Sequence, residues 1–100
     1  MKLQHYANTL QVSELIELSS TNAAAFRDAA RAALTAAATT VDVDLAHTRF
    51  LDSSGPGALI ALQKTLAARR GNVRILNPTA TAQQILELTR LHRVFEIVKT

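Results

Sequence analysis

The chain has no cysteine and no tryptophan, and its 100 residues include only three glycines, two prolines and 4% aromatic residues. Without cysteine, disulfide bonds and thiolate metal sites are excluded. With so few large rings, a core must be built mainly from Ala, Leu, Ile and Val, within a hydrophobic content of 48%. One core of this kind is feasible at this length, so we predict a single domain covering residues 1–100.

A long apolar run is also missing. The first residues are mixed in polarity, and the alanine-rich stretch 23–38 is interrupted by Arg27, Asp28 and Arg31. A membrane-spanning helix needs about 20 predominantly apolar residues, and a signal peptide needs a shorter apolar segment behind a basic start. We therefore expect no signal peptide, no membrane insertion and a cytoplasmic location.

The formal charge of +3 is unevenly distributed. Residues 1–52 carry four basic and six acidic side chains, whereas residues 53–100 carry seven basic and two acidic ones. Arg69, Arg70 and Arg74 lie close together in the basic half. Neither an aromatic platform nor a basic helix accompanies them, so we predict that the protein does not bind nucleic acid.

The three histidines favour neither a metal site nor a catalytic triad. His5, His47 and His92 lie far apart in the sequence, without i, i+4 spacing. We therefore predict no metal and no cofactor. A Ser-His-Asp hydrolase from Ser53, His92 and Asp52 is disfavoured, because adjacent residues cannot easily flank one imidazole and no Gly-x-Ser-x-Gly elbow is present. We expect no catalytic residue and no enzymatic activity.

Apolar periodicity predicts strands and helices in the order ββαβαβαβ. The predicted strands are 3–6, 9–18, 41–45, 73–76 and 94–98, and the predicted helices are 22–38, 55 or 56 to 70, and 80–91. Strands separated by helices of this length imply right-handed crossovers into a mixed, mainly parallel sheet. Strict alternation in 41–45 indicates that the helices cover chiefly one face of the sheet. The helix residues expected in the core are Phe26, Ala30, Ala33, Leu34, Leu59, Leu62, Leu66, Ala82, Ile85, Leu86 and Leu88.

Two hydroxyls and a carboxylate stand at the junction between a predicted strand and the second helix. They are Asp52, Ser53 and Ser54. The first N–H groups of a helix lack intrahelical partners and carry the positive end of its dipole, which suits a serine cap and also an anion. Ser53 or Ser54 therefore caps the helix or carries a phosphate. Asp52 either orients the neighbouring hydroxyl or a partner's groups, or holds the turn through its carboxylate.

Pro56 affects where this helix should begin. Proline suits the first helical position and biases the preceding Gly55 away from helical angles. We therefore expect the helix to start at Pro56, with Ser53 and Ser54 in the preceding loop.

Several ordered motifs together resemble a STAS domain of the anti-sigma-factor antagonist type. They are Asp44-Leu45, Phe50-Leu51-Asp52-Ser53-Ser54-Gly55, Gly57-Ala58-Leu59, Arg70-Gly71, Val73-Arg74-Ile75-Leu76, Leu86-Glu87-Leu88-Thr89-Arg90-Leu91 and Arg93-Val94-Phe95-Glu96-Ile97. Thr21-Asn22-Ala23 with Phe26-Arg27 resembles the start of that family's first helix. The resemblance covers about residues 21–98 and implies a single STAS-like α/β domain.

The resemblance also implies a binding module without catalysis of its own. In such proteins the unphosphorylated antagonist binds an anti-sigma factor that is also a serine kinase. The kinase phosphorylates the serine directly after the aspartate, and a metal-dependent serine phosphatase reverses the step. By position that serine is Ser53, with Ser54 as the adjacent alternative. The implied partner-binding surface is Asp52, Ser53, Ser54, Gly55, Pro56 and Gly57.

A second function stays open at this point. STAS-like domains also serve as small cytoplasmic subunits of membrane transport assemblies, including lipid ABC transporters, in which they act as scaffolds without phosphotransfer. The charge pattern does not separate this role from a partner switch. We expect a monomer, with a dimer as the alternative.

Overall fold

Seven strands and three helices make up the fold. In the computed structural model, which describes residues 1–100, they are β1 (Lys2–Tyr6), β2 (Thr9–Ser13), β3 (Glu17–Leu18), α1 (Ala23–Ala33), β4 (Thr40–Asp44), β5 (Phe50–Leu51), α2 (Ser54–Ala67), β6 (Asn72–Leu76), α3 (Ala80–Leu88) and β7 (Glu96–Val98). A short 3₁₀ turn at Leu91–Arg93 connects α3 to β7. No helix is both long enough and apolar enough to cross a membrane.

The main sheet has the strand order β1-β2-β4-β6-β7. Only β1 and β2 pair in antiparallel fashion, and the other neighbours are parallel. The predicted α/β class and mainly parallel sheet are therefore confirmed. The sequence prediction missed the small second sheet, in which β3 pairs in parallel with β5. The run 9–18, expected to be one strand, is divided into β2 and β3 at Glu14, whose φ is 57°.

The core lies between the main sheet and the helices. Strand residues such as Val41, Val43 and Ile75 are fully buried with helix residues in one cluster of 21 buried residues. Of the predicted helix core, Phe26, Ala30, Leu59, Leu62, Leu66, Ala82 and Leu86 are buried, and Ala33, Leu34 and Ile85 pack against the cluster as partly buried residues.

Leu88 was wrongly predicted to pack in the core, because its side chain is 76% exposed. The buried residues of α3 are Ala82 and Leu86. Leu88 follows Leu86 by two residues, which rotates it about 200° around the helix axis. It therefore faces the solvent on the opposite side of α3.

All three helices end earlier than predicted. Leu34 already has an extended conformation, with φ −68° and ψ 123°. The Arg69 guanidinium donates to the carbonyl oxygens of Thr35 at 2.7 Å and Ala38 at 3.2 Å, so it fixes the connection into β4. After α2 and α3 the chain reverses through left-handed Arg70 and Arg90, both with φ 61°. The alanine and leucine residues near these helix ends do not indicate where a helix stops. The sequence prediction therefore made all three helices too long.

The sheet face opposite the core carries a row of charged residues. Arg74 donates to both carboxylate oxygens of Asp42, at 2.8 Å and 2.9 Å, and lies 3.6 Å from Glu96. The carboxylate of Asp42 raises the pKa of Arg74. Arg69 donates to backbone carbonyl oxygens and Arg74 donates to a carboxylate. Two of the three neighbouring arginines are therefore already bonded within the protein.

Candidate functional site

The segment predicted to carry the chemistry connects β5 to α2. Helix α2 begins at Ser54, two residues before the predicted start at Pro56. The Ser54 N–H donates to Asp52 Oδ1 at 2.8 Å, and the Gly55 N–H donates to the Asp52 carbonyl at 3.1 Å. This first turn forms ahead of Pro56, which lies within the stretch where helix N–H groups have no intrahelical partner. The proline therefore does not displace the helix start.

Asp52 connects the starts of two helices. One carboxylate oxygen accepts from the Ser54 N–H, and the other accepts from the Ser20 N–H at 3.1 Å. Ser20 lies just before α1, so a single side chain fixes the entry to α1 against the entry to α2. The carboxylate of Asp52 therefore holds the turn, and its role toward a partner stays a prediction.

These hydrogen bonds favour the ionised form of the carboxyl group. The N–H of Ser20 and then that of Ser54 hold the pKa of Asp52 below its ordinary value. A group with a lowered pKa stabilises the fold above its unfolded pKa of about 4, and this stabilisation is lost as the pH falls through the folded pKa. The Asp52 contribution should therefore be complete at neutral pH.

We expect Asp52→Asn to lower the stability at neutral pH and to lose this effect in acid. The urea midpoints of wild type and variant should differ at about pH 7, and the difference should shrink as the pH falls below the unfolded pKa of about 4 and vanish below the lower pKa of the folded state, where the native carboxylate is protonated. Asp28→Asn is the matched control, because the only hydrogen bond of that exposed carboxylate is to the Arg27 side chain at 3.0 Å. A difference for Asp52→Asn that is the same at every pH would contradict the assignment.

The two serines differ in their surroundings. Ser53 is exposed, has backbone angles φ −63° and ψ −18°, and makes no side-chain capping hydrogen bond. Ser54 is half-buried and lines a small groove that α1 shares through Ala24 and Arg27. Because Asp52 caps α2, capping does not occupy the Ser53 hydroxyl. It is open to an incoming reagent.

The three residues that follow divide into two groups. Gly57 is exposed, whereas Gly55 and Pro56 are buried. A Cβ atom on Gly55 would lie 2.8 Å from the Leu18 carbonyl oxygen and would collide with the Leu51 side chain. Gly55 is therefore needed for the close approach of α2 to the β3–β5 pair. Ser53 and Gly57 form the accessible part of the predicted surface, with Asp52 and Ser54 half-buried beside them.

Sequence reasoning missed two parts of this region. Ser20 contributes to the site only through its backbone N–H, which donates to Asp52. A pattern of side chains does not predict such a contact. A crevice lined by His47, Arg49 and Thr79 lies at the same end of the sheet, and no motif connects these residues. The structure contains no group of three or more His, Cys, Asp or Glu side chains that could hold a metal ion.

A family model described as Mlab, STAS domain matches residues 3–99. The chain belongs to the STAS domain family. STAS domains are generally binding modules without catalysis. A search of curated proteins finds no match to the sequence.

Solved structures show where else this STAS fold occurs. The unphosphorylated anti-sigma factor antagonist SpoIIAA of Bacillus is 23% identical, with a TM-score of 0.87 over 99% of this chain and 86% of that one. The Thermotoga maritima protein TM1081 is 18% identical, with a TM-score of 0.89 over 99% of this chain and 85% of that one. The murine anion transporter Slc26a9 is 20% identical, with a TM-score of 0.73 over 90% of this chain but only 15% of the transporter. At these identities the likeness shows a common fold.

Proposed function

We propose that this STAS domain is a regulatory binding module of the anti-sigma factor antagonist kind, switched by phosphorylation of Ser53. In its unphosphorylated form it binds an anti-sigma factor that is also a serine kinase, in the cytoplasm. The kinase phosphorylates Ser53, and a metal-dependent serine phosphatase restores the hydroxyl. The domain itself contributes a docking surface and a phosphate acceptor, and no catalytic group.

The observation that carries this proposal is the exposed Ser53 hydroxyl on a turn that another residue holds. Asp52 supplies the hydrogen bonds that start α2, so a phosphate on Ser53 need not break the helix. Phosphorylation adds about −1.5 to −2 charges, which the positive end of a helix tolerates. The surface can therefore change its charge while the fold persists. SpoIIAA, which has this fold, has been solved in both phosphorylated and unphosphorylated forms.

A second candidate is a scaffold subunit of a membrane transport assembly, including a lipid ABC transporter. Its support is the occurrence of the same fold within the murine anion transporter Slc26a9. In that role Ser53 would be a surface residue, and the partners would be an ATPase and a permease.

Affinity capture from a lysate of the native host separates these two functions. We expect immobilised unphosphorylated protein to retain a serine kinase, identified by mass spectrometry, and a Ser53→Asp bait to retain less of it. Ser53→Asp is an imperfect mimic, because it adds one negative charge where phosphate adds nearly two. An ATPase and a permease retained equally by both baits would favour the transport scaffold, and a kinase absent from both baits would contradict the switch.

A further inference from the structure

Exposed basic side chains are concentrated at one end of the domain. Each helix runs back along the sheet between two parallel strands, so the helices end where β4, β6 and β7 begin. The basic residues come from the last turns of α1 and α2 and from the turns after α2 and α3, and all are exposed: Arg31, Lys64, Arg69, Arg70, Arg90 and Arg93. We refer to these six residues as the basic end.

The basic end has little compensating negative charge. None of its six side chains takes part in an ion pair. Arg69 bonds to backbone carbonyl oxygens, which are neutral, so it keeps its positive charge. The carboxylate at this end is that of Glu87, in the last turn of α3, which accepts from the Gln83 side chain at 2.8 Å. Six basic residues against one acidic residue give a net charge of +5.

The remaining acidic side chains lie elsewhere. Three of them are held in ion pairs with Arg27 or Arg74. The other four lie at the opposite end, where the parallel strands end and the helices begin: Glu14, Glu17, Asp44 and Asp52. Lys2, Arg49 and Lys99 lie at that end too, so its net charge is −1, from three basic and four acidic residues. The domain is therefore electrically polarised along its strands.

Basic residues at helix ends also have a structural role, because they offset the negative end of the helix dipole. That end corresponds to about half an elementary charge per helix. Three helices end here, so their dipoles offset about 1.5 charges. This is well below the net charge of +5 at the basic end. Helix capping therefore explains only part of the accumulation, and a positively charged surface remains.

Exposed apolar side chains lie at both edges of the same end. Tyr6 is 52% exposed, Leu88 is 76% exposed and Val94 is 52% exposed. The pairing register aligns Tyr6, on the β1 edge, with the first residues of β2, β4 and β6. On the β7 edge, Glu96 pairs with Arg74, so Val94 is level with the start of β6. Leu88 is the last residue of α3.

The form of this surface favours a membrane over other anionic partners. The two crevices of the structure lie at the opposite end, one beside Arg49 and one beside Ser54. The basic end therefore offers no groove for an extended acidic peptide. A nucleic acid offers little contact to the aliphatic side chains of Leu88 and Val94. An anionic phospholipid surface is broad, attracts dispersed basic residues and takes up apolar side chains between its headgroups.

We propose that the basic end binds the surface of a membrane that contains anionic phospholipids. Its arginines and Lys64 contact the phosphate headgroups, and Leu88 and Val94 enter the headgroup region. The domain lies on the membrane, since none of its helices is able to cross one. This inference goes beyond the proposed function and is independent of it. In this orientation Ser53, at the start of α2, faces away from the membrane and stays open to a kinase.

Co-sedimentation of the full chain with vesicles tests this proposal. At an ionic strength of about 0.15 M, we expect binding to vesicles of phosphatidylglycerol and phosphatidylcholine in equal parts and none to phosphatidylcholine alone. Salt at about 1 M shortens the screening length from about 8 Å to about 3 Å and should release most of the protein. Absence of binding to the anionic vesicles overturns the proposal. Binding of polyglutamate or of an RNA oligonucleotide without binding of the vesicles also overturns it, since the surface would then face a protein or a nucleic acid.

Matched double variants locate the binding charge. Arg31→Gln combined with Arg93→Gln should weaken binding to the anionic vesicles about 25-fold, because each basic residue near such a surface contributes about fivefold. Arg49→Gln combined with Lys99→Gln is the control, since it removes the same charge from exposed, unpaired side chains at the opposite end. It should leave the affinity unchanged. Equal weakening by the two folded double variants would overturn the assignment to the basic end.

A second pair of variants tests the apolar contact. Leu88→Gln should weaken binding about fivefold, because only part of the side chain enters the headgroup region. Ile16→Gln should have no effect, although Ile16 is 57% exposed, because it lies at the opposite end. Equal effects of the two substitutions would overturn the apolar contact. Neither a kinase nor a phosphate is needed here, so failure of vesicle binding and failure of the Ser53 switch are separate results.

Discussion

Phosphorylation of Ser53 should weaken the binding of the partner kinase by two to three orders of magnitude. A phosphate brings about −1.5 to −2 charges to an exposed position beside the turn that Asp52 holds. Two like charges about 4 Å apart repel by about 4 kcal/mol at the effective dielectric of a protein surface. A net loss of about 3 to 4 kcal/mol corresponds to the stated change in affinity. Calorimetric titration of the kinase with both forms measures it.

Two control variants separate the effect of the phosphate charge on kinase binding from an effect of unfolding. Ser53→Ala should bind the kinase about as tightly as wild type, because it removes only an exposed hydroxyl that caps no helix. Ser53→Asp should lie between the two forms, since it carries a single charge. If the phosphorylated and unphosphorylated proteins bound the kinase with equal affinity, a charge switch would be ruled out.

Gly55→Ala should destabilise the domain by about 3 kcal/mol, the upper part of the range for overpacking a buried site. The added methyl would lie 2.8 Å from the Leu18 carbonyl oxygen and would also collide with Leu51. These residues pair with each other between β3 and β5, so the carbonyl cannot move away without breaking the small sheet. The free energy of unfolding in urea measures the loss.

Gly57→Ala is the matched control for this substitution. It is the same change two residues later in α2, but a Cβ atom there meets nothing within 4 Å. Alanine in an open helical position should stabilise the domain by about 0.5 to 1 kcal/mol, because the unfolded chain loses freedom. Similar unfolding free energies for the two variants would show that the β3–β5 pair does not constrain Gly55.

The fold could be predicted because most elements carry their own pattern. Alternation in β4 and the apolar faces of α1 and α2 specify a strand, two helices and a covered sheet face, and all of these are observed. The ends of the elements were predicted less accurately than their positions, because the ends depend on tertiary contacts. Arg69 holds the chain after α1, and left-handed Arg70 and Arg90 reverse it at positions where glycine is the usual signal.

The site was predicted only in part, for a similar reason. The order of residues was enough to place Ser53 at a strand-to-helix junction. It could not show that Asp52 reaches the Ser20 N–H, because that bond joins backbone and side chain across 32 positions. Nor could it show that Gly55 and Pro56 are buried beneath the surface to which they were assigned. The crevice beside Arg49 depends on three separate segments and has no local signature.

Phosphopeptide mapping after incubation with the cognate kinase and ATP tests the switch most directly. We expect one phosphate, located on Ser53, in the wild type and in Ser54→Ala, and none in Ser53→Ala. Ser54→Ala is the appropriate control, because Ser54 is the neighbouring hydroxyl and its backbone N–H bond to Asp52 survives the substitution. A phosphate on Ser54, a phosphate that persists in Ser53→Ala, or no phosphate at all would contradict the assignment of Ser53.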